Sequence, residues 1–228
     1  MKNHDPYLAL RFKEFNYFLL IRFLLVFGWS MQFIIVEWEV YNLTKDPLAL
    51  GLIGLVEIIP AISMSLFAGH IVDQKEKKKL FTIAIIAFLF ISVAFFSITT
   101  NYFYSNYSSK QVLTGIYILV FIGGFIRAFF GPIIFSLVAL IVSKNAYSNA
   151  ASWSSSTWQF ASVLGPAFAG FSIAWIGVNA SMGFVLISVF IALLLTYFIK
   201  KKPILNPKIG EPIIKSLKTG LSFVFKTK

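Results

Sequence analysis

Residues 48–99 read LALGLIGLVEIIPAISMSLFAGHIVDQKEKKKLFTIAIIAFLFISVAFFSIT, two apolar runs (48–68 and 80–99) joined by a connection that carries Lys75, Lys77, Lys78 and Lys79. A helix needs about 20 mainly apolar residues to cross a hydrocarbon core of about 30 Å, and each run has that length. The runs are continuous and do not alternate, and a backbone in lipid must satisfy its own hydrogen bonds, so helices are expected and not barrel strands. Working outward, the same reading finds a span at 17–41 upstream and spans at 112–134, 151–176 and 180–199 downstream. The expected architecture is an all-α membrane domain of six transmembrane helices over 17–199, with a cytoplasmic tail at 1–16. Residues 200–228 are expected to form a cytoplasmic linker. Pro203, Pro207 and Pro212 interrupt it, and it ends in SLKTGLSFVFKTK, read as a helix lying on the membrane face.

Composition agrees. Of 228 residues 58% are hydrophobic and only 13% are charged, with 26 phenylalanines, whereas a soluble domain carries roughly 25% charged residues. Too little polar surface is available to cover a water-soluble particle. The same numbers exclude a disordered chain and a nucleic-acid module, despite the net charge of +11. Cysteine is absent and the histidines are His4 and His70. Disulfides, thiol nucleophiles and multi-histidine metal sites therefore lack raw material, and no catalytic site, metal or cofactor is expected. A six-helix membrane enzyme is the weakest reading, since it would need a histidine deep in a span or clustered aspartates.

Orientation follows from the basic residues, which tend to stay cytoplasmic when they flank a span. With the N-terminus inside, 16 of the 20 Lys and Arg fall on inner segments; Lys45 and Lys110 fall outside, and Arg22 and Arg127 lie within spans. This places a multi-pass protein in the cell membrane with both termini cytoplasmic. Asp46-Pro47 breaks the chain between the first two spans, and NYFYSNYSSK (101–110) reads as a polar outer loop with interfacial aromatics.

Ionisable groups inside a bilayer cost a few kcal/mol each, so each is a candidate for function. Glu57 lies near the midplane of the second span and should face a polar cavity, pair with a base such as Arg127, or be protonated. Arg127 either pairs or gates, or is held positionally. Arg22 sits near the inner end of its span and can snorkel to the headgroups, while Glu37 and Glu39 lie near the outer end, within reach of water. Gln32, Trp158 and Gln159 are candidate cavity residues, and the serines at 154–156 are read as helix-packing residues. Gly69-His70-Ile71-Val72-Asp73 precedes the lysine cluster. The glycine would let a helix end pack tightly, and Asp73 could accept from backbone N–H groups at a neighbouring helix N-terminus.

The run Gly69-His70-Ile71-Val72-Asp73-Gln74-Lys75-Glu76-Lys77-Lys78-Lys79 resembles the signature between helices two and three of the major facilitator superfamily. Three further stretches, 40–55, Arg127-Ala128-Phe129-Phe130-Gly131-Pro132 and Gly165-Pro166-Ala167-Phe168-Ala169-Gly170, are similar to an exporter-type branch that includes macrolide efflux pumps and the enterobactin exporter. The resemblance implies alternating access by two six-helix halves, each a 3+3 inverted repeat. It places Gly69, Asp73, Lys77 and Lys78 in the gate loop, with Asp73 capping a helix of the other half. Gly131, Pro132, Gly165, Pro166 and Gly170 become helix-packing residues. Gln74 stands where the pattern has Arg, and Ala161 and Ala169 where an antiporter signature has Gly, so proton antiport is not implied.

The superfamily ordinarily has twelve helices. The chain is therefore expected to be an N-terminal half that meets a second six-helix half, from the same gene, a split gene or a second copy of itself. The expected activity is secondary transport, an exporter of a small organic substrate driven by an ion gradient. The alternative is a non-transporting remnant or subunit. The expected partners are the lipid bilayer, the substrate and the second half, with no nucleic acid.

Overall fold

A computed structural model describes residues 5–204, all helix and connections. After a single 3-10 turn at Leu8–Arg11, α1 runs over Lys13–Thr44 and α2 over Pro47–Gln74. They are followed by α3 (Lys77–Ile98), a short α4 (Asn101–Asn106), α5 (Ser109–Ile141) and α6 (Tyr147–Leu195). Five helical stretches are long and apolar enough to cross a membrane. The linker and surface helix expected beyond residue 204 lie outside the described residues.

The helices overrun the apolar runs at most ends. α2 continues six residues past 68, where backbone hydrogen bonding carries it through the mixed stretch GHIVDQ, and α5 seven past 134, through FSLVALI, which is itself apolar. The tight α1–α2 corner has a local cause. Lys45 adopts the left-handed conformation (φ 53°) and donates its N–H to Tyr41 O, ending α1. Asp46 then caps α2 by accepting from Leu48 N at 2.9 Å, with Pro47 at the first helical position. The segment 101–110, expected as an outer loop, holds α4 and then Ser108, whose hydroxyl and backbone form a capping box with Gln111 at the start of α5.

The last two expected spans emerge as one stretch, α6, broken at Gly177 (φ 79°, ψ 173°). The contacts on each side show that the chain reverses there. Asn149 Oδ1 accepts from Ala9 N at 2.8 Å, and Gly165 abuts Phe27, Ser30 and Met31 of α1. Past the break, Ser188 Oγ donates to Leu24 O at 2.8 Å and Lys200 N donates to Glu14 Oε1 at 3.0 Å. Residues 165 and 188 would lie about 35 Å apart on a straight helix, yet both touch the same part of α1. The two arms, 147–176 and 178–195, therefore run antiparallel along it. Asn179, beside the turn, ties it to α3 by donating to Phe96 O at 2.8 Å and Thr99 Oγ1 at 3.1 Å.

The most extensive packing is α1 against α6 and α2 against α5. Both seams close on glycine. A Cβ at Gly165 would sit 2.7 Å from Phe27 O and 3.1 Å from Met31 N, and one at Gly124 would collide with Glu57 O and the Pro60 ring. In lipid no hydrophobic force drives helices together, so close backbone approach and van der Waals contact hold the seam. Not every expected packing residue sits at one. A Cβ at Gly69, Gly131 or Gly170 would meet no described heavy atom within 4 Å, so the tight helix end expected at Gly69 is not found. Of the serines at 154–156, Ser154 is buried and the other two are exposed. Pro132 and Pro166 lie inside α5 and α6.

Candidate functional site

Gly124 brings α5 close enough to α2 for side chains one turn further on to meet. There Arg127 Nη1 lies 3.0 Å from Glu57 Oε2, joining two of the intraspan charges. The pair is lopsided, with 7% of the Glu57 side chain exposed against 55% of Arg127. Glu57 faces a small pocket of about 30 Å³, room for a water or two, whose lining is mostly apolar (Trp29, Val36, Ile53 and Phe95 among others) with Gln32 as its second polar side chain. Gln32 is held in that pocket by Ser92, whose hydroxyl donates to its Oε1 at 2.6 Å. Arg127 instead faces an open cavity of about 420 Å³, lined by Arg22, Trp29, Phe88, Phe130 and Trp158 among others. Trp29 borders both spaces. The ion pair thus reaches from a buried carboxylate to the wall of the larger cavity.

Each lining residue owes its place to helical spacing. On α1, Arg22, Val26, Trp29 and Ser30 recur three to four residues apart and line the large cavity. Trp29, Gln32 and Val36 extend that stripe to the small pocket. On α5, Gly124, Arg127 and Gly131 share one face. The cavity wall is a preformed aromatic cluster, with ring centroids 4.7 Å apart for Trp29–Phe88 and 6.3 Å for Trp29–Phe130. Arg22 forms no ion pair among the described residues, and its Nε is buried with no hydrogen-bond partner. Trp158 lines the cavity, as the sequence suggested; Gln159 lines neither space and is exposed.

The expected gate loop makes contacts of its own within this half. Asp73 is exposed and makes no side-chain hydrogen bond among the described residues. Glu76 is the capping carboxylate: its oxygens accept from Lys78 N at 2.9 Å and Lys79 N at 2.8 Å at the start of α3. It also accepts from Lys202 N at 2.9 Å, tying in the segment beyond α6. Burial pushes the Glu76 carboxyl up, but those three N–H groups and the Lys78 charge outweigh it and hold its pKa below the ordinary value. Lys77 is buried, its ammonium donating to the carbonyls of Val72, Asp73 and Lys75 where α2 ends. Lys78 contributes its backbone N–H to the Glu76 cap. Lys202 Nζ meets Glu14 at 2.7 Å, so α1, α3 and the end of α6 are clasped together. Sequence reasoning missed Glu76 and Lys202.

At the opposite end, Glu39 is buried and accepts a short hydrogen bond from Tyr104 of α4. The sequence had placed Glu39 within reach of water. α4 covers it. Burial, then the hydrogen bond and charge of Glu39, keep the Tyr104 phenol above its ordinary pKa.

A helical bundle with several membrane-length apolar stretches, and with a charge pair at the wall of a cavity of about 420 Å³, is the architecture of a polytopic membrane protein. The family model described as Major Facilitator Superfamily matches residues 18–228, and the chain belongs to that superfamily. It is therefore a multi-pass membrane transport protein and not an enzyme. A search of curated proteins finds no match.

Proposed function

We propose that the chain forms one wall of a secondary transporter that exports a small organic molecule by alternating access, with the 420 Å³ cavity as its cargo site. The observation that carries this reading is the Glu57–Arg127 pair, whose carboxylate is buried between α2 and α5 while its guanidinium lines that cavity. A charge pair at such a boundary can be broken by a proton or a cargo charge, which is what coupling to an ion gradient requires. In this reading α6 supplies the fifth and sixth crossings, its turn at Gly177 joining them, and the six helices form a 3+3 repeat. Both termini are cytoplasmic, supported by the sixteen inner-segment basic residues. A second bundle of helices covers the open side of the cavity, where Phe135 and Trp158 stand exposed. A remnant without transport activity is the competing outcome.

The test is a growth-inhibition screen in a pump-deficient host expressing the chain or its Glu57→Gln variant. Raised tolerance to a toxic compound that is lost in the variant supports the proposal, and wild-type tolerance equal to the empty vector when a second six-helix half is co-expressed overturns it. Orientation is tested separately in the cysteine-free chain by single cysteines at Lys75 and Tyr104. An impermeant thiol reagent on intact cells should label the second and spare the first; labelling of both overturns the topology.

A further inference from the structure

We propose that the large cavity takes an amphipathic organic anion, a carboxylate or other oxyanion on an apolar, ring-bearing body, with Arg22 as its charge partner. The inference rests on reading that cavity as the cargo site. Two arginines line it, and they are not equivalent. Arg127 is engaged with Glu57 at 3.0 Å, whereas Arg22 has no ion-pair partner among the described residues. Its Nε is moreover shielded from solvent with no hydrogen-bond acceptor. The cavity's described charges are thus Arg22, Arg127 and the Glu57 that neutralises Arg127, leaving one uncompensated positive charge.

An unmatched cation in a low-dielectric wall is costly unless something compensates it. A guanidinium is a planar fork suited to gripping a carboxylate or phosphate with two parallel hydrogen bonds. Around that charge the lining is aromatic. Trp29, Phe88 and Phe130 form one cluster, and Trp158 stands on α6 across the cavity. A cationic cargo would meet the Arg22 charge with no free carboxylate to offset it, and a neutral apolar one would leave the guanidinium unmatched. The same oxyanion chemistry could arrive on a free small molecule or on the headgroup of an anionic lipid.

The experiment is calorimetric titration of the full chain in nanodiscs with naphthalene-2-carboxylate, against naphthalene-2-methanol and 2-naphthylmethylammonium as neutral and cationic counterparts. The carboxylate should bind about tenfold more tightly than either counterpart, the gain expected of a charge-assisted pair. Arg22→Gln should erase that advantage while leaving the weak alcohol binding unchanged, and Arg22→Lys should restore part of it. Gly131→Leu is the independent check. An added Cβ there meets no described heavy atom within 4 Å, so the variant can fold, yet its side chain should reduce the cavity and weaken all three probes. Nanodiscs of phosphatidylcholine alone and with phosphatidylglycerol separate the two sources. Competition by phosphatidylglycerol assigns the site to a lipid headgroup, and its absence to a free anion. Equal binding of the three probes, tighter binding of the cation, or an Arg22→Gln protein that retains the anion preference overturns the inference. Because binding is measured without transport, an Arg22-dependent anion site in a chain that confers no tolerance even with a second half co-expressed would refute export alone. Tolerance to a cationic compound, unchanged in Arg22→Gln, would refute the anion site alone.

Discussion

Glu57 of α2 and Arg127 of α5 pair at 3.0 Å, but the carboxylate is sealed into the bundle while more than half of the guanidinium opens onto the large cavity. The asymmetry predicts which partner can be removed. Arg127→Gln strands a buried carboxylate, a loss on the order of 3 kcal/mol for a broken buried pair. Glu57→Gln leaves a guanidinium that can still reach cavity water, at roughly 1 kcal/mol. The apparent Tm of purified protein, followed by tryptophan fluorescence, should fall further for Arg127→Gln than for Glu57→Gln. The double variant should recover most of the larger loss; equal losses for the two single variants would contradict the burial seen here.

The glycines of the packing signature should separate by contact. Gly165→Ala puts a methyl 2.7 Å from the Phe27 carbonyl, and overpacking of this kind costs about 1–3 kcal/mol. Gly170→Ala meets nothing within 4 Å, so it should be neutral or slightly stabilising through helix propensity. Thermal melts of the two proteins side by side decide this, and a loss at Gly170 equal to that at Gly165 would refute it.

How much was legible beforehand follows from which forces act locally. The span centres could be read because lipid demands unbroken apolar runs. The end of α2 could not, since backbone hydrogen bonding carries the helix through 69–74, whereas the expected end of α5 fell too early although the apolar run continues through 135–141. Glu57 and Arg127 could be suspected of pairing because a charge in lipid needs a partner. The role of Arg22 was hidden, because its cavity is assembled from α1, α3, α5 and α6, and sequence position alone suggested a side chain reaching for headgroups. Glu76 was overlooked because glutamate is an uncommon N-cap. Its third donor, Lys202 N, arrives from 126 residues away.

The Glu76 cap predicts a pH signature. Its carboxyl is held below its ordinary pKa in the folded chain, so the folded state favours the ionised form. That contribution is fully present above the unfolded pKa of about 4.3 and disappears as pH falls through the lower folded value. Glu76→Gln should therefore melt below wild type at pH 7, and the gap should narrow as the pH is lowered from about 5 to 3. Comparing the two proteins at each pH cancels the titration of Glu14 and the other acids. A gap that persists unchanged at pH 3 would assign the effect to packing and not to the charged cap.

The reversal that splits α6 into two antiparallel arms depends on one residue. Gly177 sits at φ 79° and ψ 173°, a region essentially closed to residues with a Cβ and costing them on the order of 1–3 kcal/mol. No described neighbour lies within 4 Å of a Cβ built there, so the penalty of Gly177→Ala would be conformational and not a clash. Gly183, six residues on, is the matched control. It too has open space at its Cβ, but it lies within the second helical arm, where alanine gains roughly 0.5–1 kcal/mol over glycine. The two substitutions should thus move the apparent Tm in opposite directions, down at Gly177 and up at Gly183. If both raised it, the backbone at Gly177 would have relaxed to a helical conformation. The arms could then no longer lie side by side on α1, and the hydrogen bond from Ser188 to Leu24 would be lost with them.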